Sequence, residues 1–127
     1  GPTLLYSVEG TEVWFMDMGK GKLHNGKAYI KLDPVFMETV TIDKNDPIQV
    51  SATPTAMCNG LVVIEHQDGF EVIETLKGKS NATFNYTVYG KRKYYENKRL
   101  DVEKGLKNDT RMYNATMHPK IAETWRK

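Results

Sequence analysis

The chain has 127 residues, with 18 Lys plus Arg against 16 Asp plus Glu and a net charge of +2. This length suits one domain that buries its own core. Because the positive and negative charges nearly cancel, the net charge favours neither nucleic acid nor a membrane as a partner. Its one cysteine, Cys58, excludes an intrachain disulfide and a metal site built from cysteines, and suits a protein made in a reducing cytosol. No apolar run reaches the roughly 18 residues that a membrane helix needs.

Composition divides the chain into three predicted parts. Gly1-Pro2 is typical of the remnant that removal of an affinity tag leaves, so residues 1–3 are expected to be a tag remnant and the start of a piece cut from a longer protein. Residues 4–100 are the predicted globular domain. Residues 101–127 are polar and charged with scattered apolar side chains, so they are either disordered or an arm that packs on the domain or on a neighbouring subunit.

A turn and a helix start are the strongest local signals in the first half of the domain. Asn25-Gly26 supplies the positive φ angles of a tight turn between an aromatic strand and the alternating strand at 27–32, which predicts a β-hairpin. Asp33 is a suitable N-cap and Pro34 a suitable first helical residue. One or two helical turns are therefore expected over 33–40.

The second half of the domain alternates as strands. Asp68-Gly69 predicts a second hairpin, and Phe70, Val72 and Leu76 are expected to share one face of the strand that follows it. The predicted strands cover 48–53, 61–66, 70–76 and 81–95, of which the last is the longest. The predicted fold class is mainly β: an antiparallel β-sandwich with β-hairpins, one short helical segment and a C-terminal arm.

Five elements follow one another in a distinctive order: Trp14-Phe15, Asn25-Gly26, Leu32-Asp33-Pro34, Cys58-Asn59-Gly60-Leu61 and Gly90-Lys91-Arg92-Lys93. Through these elements, residues 4–100 resemble a module at the C-terminal end of the neck appendages and tail spikes of short-tailed phages that infect Gram-positive bacteria. The same module also ends large bacterial surface proteins.

The resemblance implies an intramolecular chaperone. Such a domain forms a homotrimer, helps the preceding β-helix of the spike to assemble, and is then released by self-cleavage. Its partners would be its own copies and the upstream spike region of the same polypeptide. It would be part of a virion tail-spike precursor made in the host cytoplasm, and absent from the mature virion once released. Parallel β-helices fold slowly and expose strand edges, so early trimerisation of a small domain would align the three chains and raise their effective concentration.

Ser7 and Glu9 are the candidate catalytic residues for self-cleavage, because this reaction needs a nucleophile and a group that moves its proton. They lie near the junction with a spike, and their spacing places both side chains on one face of an extended strand. The alternatives are that the pair is an ordinary surface feature, or that the cleavage chemistry lies on residues upstream of this chain. At most, the domain would cleave itself once and would not be a turnover enzyme.

The resemblance also implies ATP as a cofactor for release, although the sequence has no Walker-type loop. Both 19–22 and 77–80 contain Gly and Lys, but neither has the spacing of a phosphate-binding loop, and we interpret both as turns. Lys91, Arg92 and Lys93 are the candidate phosphate-binding residues because they belong to the densest basic run. The alternative is that they form a solvated strand end.

Other chemistry is weakly indicated. His24, His66 and His118 lack the spacing of metal ligands, so no metal site is predicted, and Cys58 is expected to be an inert thiol. The rival function is a tip domain that binds a receptor or a glycan through exposed aromatic side chains. Its candidate residues are Tyr6, Tyr94, Tyr95 and Tyr113. A third alternative is a self-cleaving protease domain proper.

Overall fold

The computed structural model describes residues 1–100, and the predicted C-terminal arm lies outside them. In chain order the elements are β1 Trp14–Lys22, β2 Lys27–Lys31, α1 Pro34–Thr39, β3 Val40–Thr41, β4 Gln49–Pro54, β5 Leu61–Glu65, β6 Gly69–Glu74 and β7 Thr83–Arg92. The predicted fold class, mainly β with two antiparallel layers and one short helix, is confirmed. The short helix α1 does not have the length that crossing a membrane requires, and no other helix occurs in residues 1–100.

The two sheets share a simple plan, because each is built around one central strand. In the first sheet β7 lies between β1 on one side and both β3 and β4 on the other. In the second sheet β6 lies between β2 and β5. Both sheets contribute to one apolar core, whose buried members are Leu23, Leu32, Ile48, Phe70, Val72, Ala82, Phe84 and Val88. The alternation seen in the sequence of β6 and β7 therefore marks the faces that meet in the core.

The predicted hairpin between the first two strands is wrong in its pairing, although its turn forms. Asn25 and Gly26 have φ angles of 55° and 81°, and a single bridge joins His24 to Lys27. Beyond that bridge the strands separate, since β1 pairs with β7 and β2 pairs with β6. The separation places the two strands in opposite layers of the sandwich, so that both contribute apolar side chains to one core. Turn chemistry predicts where the chain reverses, and not which strands pair.

The second predicted hairpin is confirmed, with one correction at its end. β5 pairs with β6 in antiparallel register through the Asp68-Gly69 turn, and Phe70 and Val72 are fully buried as expected. Leu76, however, does not share their face: its side chain is 84% exposed. The strand ends at Glu74, after which Leu76 adopts a positive φ of 56° in a turn. Glu74 takes the inward position instead.

The helix start is confirmed in atomic detail. An oxygen of the Asp33 side chain accepts hydrogen bonds from the backbone N–H groups of Val35 and Phe36, at 2.7 and 3.2 Å. Pro34 occupies the first helical turn, where a missing N–H leaves no bond unmade. Asp33 thus ties the end of the second strand to the start of α1.

Candidate functional site

Ser7 and Glu9 lie in the exposed segment that precedes β1. Residues 1–10 form no strand, so the extended backbone on which the two side chains were expected to share a face is not formed within the described residues. Neither side chain makes a hydrogen bond or ion pair in the part of the chain that the structure describes. The structure therefore supplies no base for Ser7, and its role in self-cleavage stays a prediction.

Lys91 lies on the opposite side of β7 from Arg92, so the three candidate phosphate ligands do not converge. Lys91 is only 8% exposed. Its ammonium group lies 3.3 Å from a carboxylate oxygen of Glu12 and donates a hydrogen bond of 3.1 Å to the backbone carbonyl of Glu96. It also lies 5.2 Å from the centre of the Trp14 ring, within the range of a cation–π contact. These partners occupy Lys91 inside the protein.

Arg92 is held by aromatic rings on its own side of the sheet. Its guanidinium carbon lies 4.2 Å from the centre of the Tyr95 ring and 5.6 Å from that of Phe15. Lys93 is half-buried and its backbone N–H donates to the carbonyl of Thr39. Phosphate binding by this run stays a prediction, and it gains no support from a shared geometry.

Glu12 is the centre of a polar cluster that sequence reasoning missed. One carboxylate oxygen accepts a 2.9 Å hydrogen bond from the Trp14 indole N–H, and the other lies 3.2 Å from the guanidinium of Arg99. The Trp14 hydrogen bond, with help from Lys91 and Arg99, lowers the pKa of Glu12 below its usual value. The backbone N–H of Leu100 also donates to the carbonyl of Thr11. The residues just before β1 are therefore joined to residues 99–100.

Glu74 is a second missed residue and is buried, at 5% exposure. Its carboxylate accepts hydrogen bonds from the backbone N–H of Asn59 at 3.0 Å and from both the backbone N–H and the hydroxyl of Ser80, at 2.9 and 2.6 Å. These hydrogen bonds, led by that of the Ser80 hydroxyl, lower the pKa of Glu74. The available sequence signal was an acidic residue at an apolar position of the alternating strand 70–76.

The two stretches that contain Gly and Lys do not form phosphate loops. Residues 19–22 are part of the extended strand β1, so the prediction of a turn there is wrong. The prediction of a turn at 77–80 is confirmed in part: the turn spans 75–78, closed by a hydrogen bond from the Gly78 N–H to the Thr75 carbonyl, and 79–80 continue as a loop. This turn closes over Glu74, because a Cβ on Gly78 would come within 2.2 Å of the Glu74 carboxyl carbon. Ser80, which would end a phosphate loop, instead binds Glu74.

One exposed feature is the side of the four-stranded sheet that faces away from the core, which we call the outer face. Met16 and Met18 project from β1 on this face and are 51% and 62% exposed, and Tyr89 lies directly opposite Met16 on β7. Beside them lies a groove of about 400 Å³. Its lining is mostly short and polar: Met18, Gly19, Lys20, Ser51, Thr53, Asn85, Tyr86 and Thr87.

A second groove on the outer face lies between Met16 and Tyr89 and the segment that precedes β1. It has a volume of about 510 Å³ and is lined by Val8, Glu9, Gly10, Glu12, Trp14, Met16, Gln49 and Tyr89. The apolar surface of Met16 and Tyr89 is therefore continuous with Val8, which is fully exposed. Met16, Met18, Tyr89 and Val8 thus form one exposed apolar region at the β1 end of the outer face, and the rest of that face is mostly polar.

The candidate tyrosines of the rival function occupy different parts of the molecule. Tyr6 belongs to the N-terminal segment, whereas Tyr94 and Tyr95 follow β7, and Tyr113 lies outside the described residues. Tyr94 is exposed, but the Arg92 guanidinium lies over the Tyr95 ring. Glycan binding by these residues stays a prediction.

Residues 1–100 contain no cluster of side chains that could hold a metal ion. No group of three or more His, Cys, Asp or Glu side chains is placed there to hold an ion. Cys58 is half-buried and packs against the apolar core. Comparisons of the chain with protein-family models, with curated proteins and with solved structures found no match.

Proposed function

We propose that this domain is a homotrimeric assembly module, and that its task is that of the intramolecular chaperone at the end of a phage tail spike. The observation that carries the proposal is the exposed apolar region of the outer face, with Met16, Met18 and Tyr89 side by side. Isolated exposed apolar residues are normal, but neighbouring ones on a flat sheet mark a binding surface.

The part of the outer face around Met16 has the composition of a protein interface. Methionine and aromatic side chains are enriched at the centres of such interfaces, and charged side chains are depleted there. Around Met16 the neighbours on adjacent strands are Tyr89 and Gln49, both uncharged. Of the cations on the same face, Lys91 on β7 is paired with Glu12, and Lys20 lies beyond Met18 at the edge of this patch. A protein surface is therefore the partner that fits.

The position of the N-terminal segment supports an assembly role in particular. Val8 and Glu9 line the same groove as Met16 and Tyr89, so a polypeptide that precedes the domain would emerge beside the apolar region. Association of three domains through this region would bring the three preceding chains close together. This raises their effective concentration before the slow pairing of β-helix strands begins.

The test compares two variants by light scattering after size-exclusion chromatography. Met16→Lys with Met18→Lys places two charges in the proposed interface and should shift a trimer to a monomer. Met57→Lys is the matched control, because Met57 is 96% exposed in a loop away from the outer face, and it should stay trimeric. Equal masses for both variants would contradict the proposal that the outer face joins the copies.

Release by self-cleavage remains part of the proposal. The reaction hydrolyses one peptide bond upstream of the domain, with water entering at the carbonyl and the new amine leaving on the domain. Mass spectrometry of the full-length parent protein should show a shed fragment that contains this domain. Ser7→Ala and Glu9→Gln should abolish that fragment if the two residues carry the chemistry, and an unchanged fragment would exclude them.

A further inference from the structure

Strand β1 has one edge that no strand among residues 1–100 pairs with. The backbone N–H of Leu23 donates to the carbonyl of Ala82 at 2.9 Å, and the N–H of Arg92 donates to the carbonyl of Val13 at 3.1 Å. These two bonds fix the phase of the antiparallel ladder, so the odd-numbered residues of β1 face β7 with their backbone groups. The even-numbered residues, from Trp14 to Lys22, therefore direct their N–H and C=O groups to the other side.

No strand covers that other side within the described residues, where β1 pairs only with β7. A single edge group has a local partner: the N–H of Met18 donates to the side chain of Asp17 at 2.8 Å. The remaining edge groups of Trp14, Met16 and Lys20 form a template for one more strand. The side chains of Met16 and Met18 would flank an added strand on the outer face.

The segment before β1 is rich in apolar side chains but has no strand partner within residues 1–100. Tyr6 and Val8 alternate with Ser7 and Glu9, as in a strand with one apolar face, and Leu4 and Leu5 add two apolar side chains before them. Yet Leu4, Tyr6 and Val8 are 81%, 89% and 100% exposed. Three large apolar side chains that touch almost nothing indicate a surface that another molecule covers.

The segment does not pair with the open edge of its own β1 within the described residues. The carbonyls of Thr11 and Val13 accept hydrogen bonds from the N–H groups of Leu100 and Arg92, so residues 11–13 continue the line of β1 beside the end of β7. The guanidinium of Arg99 also donates to the Thr11 hydroxyl at 3.0 Å. Residues 8–10 then lie beside the outer face, where they line a groove with Met16 and Tyr89, and they leave the open edge of β1 uncovered.

We propose that residues 4–9 of one copy add as a strand to the open edge of β1 in a neighbouring copy. The inference rests on the proposed homotrimer and names the contact that forms it. Main-chain hydrogen bonds to Trp14, Met16 and Lys20 hold the added strand, and its apolar side chains pack beside Met16 and Met18.

This contact is compatible with a closed ring. Each copy donates one segment and accepts one, so the two surfaces of the contact are different. A contact of this kind is heterologous, and it ends in a closed ring when the rotation between copies allows it. Three copies would satisfy every donated segment and every β1 edge.

Amide hydrogen exchange on the full chain tests the inference residue by residue. In the assembled protein the N–H groups of Met16 and Lys20 should exchange slowly, because the added strand accepts their hydrogen bonds. In the variant Tyr6→Lys with Val8→Lys they should exchange at least about tenfold faster. Phe15 should stay slow in both proteins, because its N–H faces β7. Both mutated side chains are almost fully exposed, so the variant keeps its fold.

The outcomes separate this inference from the proposed function. A trimer that the double variant converts to monomer, with release of Met16 and Lys20, supports both. A trimer whose Met16 and Lys20 amides exchange fast, or one that the double variant leaves intact, overturns the strand exchange while the assembly role stands. A monomeric wild-type chain overturns both. Met57→Lys serves again as the control for added charge.

Discussion

The Glu74 carboxylate accepts two hydrogen bonds from one residue, Ser80, through the backbone N–H at 2.9 Å and the hydroxyl at 2.6 Å. Together with the bond from Asn59, this joins the loop before β5 to the turn after β6. The backbone N–H of Glu74 also donates to the carbonyl of Gly26, at 2.8 Å. Three separate chain reversals thus meet at one buried acid.

Replacing Glu74 with alanine should destabilise the domain, because the donors of Asn59 and Ser80 would lose their acceptor in a buried place. Urea unfolding followed by fluorescence measures the change. Glu71→Ala is the matched control, since Glu71 lies on the other face of the same strand and is half-buried. A midpoint for Glu74→Ala no lower than that for Glu71→Ala would contradict the structural role.

Stability should fall in acid, with Glu74 as one source. Hydrogen bonds from Ser80 and Asn59 lower the pKa of Glu74 in the folded state below the ordinary value of 4.5. A folded pKa below the unfolded one stabilises the protein above the unfolded value, and this stabilisation is lost as the pH falls through the folded value. Urea midpoints between neutral pH and about pH 3 should therefore decrease, and they should decrease less in Glu74→Gln. An equal decrease in both proteins would exclude Glu74 as a source.

Replacing Gly26 with alanine should cost about 1–3 kcal/mol of unfolding free energy, because the residue has a positive φ and a Cβ would clash. Its φ is 81°, and a Cβ would come within 2.1 Å of the carbonyl oxygen of Gly78. Gly10→Ala is the control, since its Cβ would meet only the carbonyl of Glu12, at 3.5 Å. Thermal and urea unfolding of the pair measure the difference, and similar stability would contradict the close approach.

Removing the helix cap in Asp33→Ala should lower the unfolding free energy by about 1 kcal/mol, because the N–H groups of Val35 and Phe36 lose their acceptor. Glu38→Ala changes an exposed acid in the same helix and should have little effect. Urea unfolding distinguishes the two. A larger loss for Glu38→Ala than for Asp33→Ala would contradict the cap.

Lys91 should contribute more than Lys93 to the thermal stability of the domain. Lys91→Ala removes the cation beside Glu12 and Trp14 and should lower the thermal midpoint clearly, whereas Lys93→Ala should change it little. The same pair tests phosphate binding, because added inorganic phosphate raises the midpoint of a protein that binds it. A rise in the wild type that is absent from Lys91→Ala would show that Lys91 binds phosphate after all.

Local signals in the sequence predicted local structure well. Asp33 and Pro34 predicted the start of α1, and Asp68-Gly69 predicted the hairpin of β5 and β6, because in both cases nearby backbone geometry decides the outcome. The partner of β1 was not predictable in this way. Its pairing with β7 joins residues far apart in the sequence, and alternation alone cannot select one strand over another.

In the candidate site, too, features local in sequence were predictable and contacts between distant residues were not. The basic run at 91–93 was visible in the sequence, but strand alternation places Lys91 and Arg92 on opposite faces, and the partners Glu12 and Trp14 come from a distant strand. The exposed apolar region escaped prediction for the same reason. Met16 and Tyr89 become neighbours only through the pairing of β1 with β7.

The mass of the unmodified chain in solution, measured by native mass spectrometry and light scattering at tens of micromolar, tests the central claim most directly. We expect a species of three chains. A single chain as the only species across that concentration range would contradict the assembly role, and with it the exchange of strands at β1.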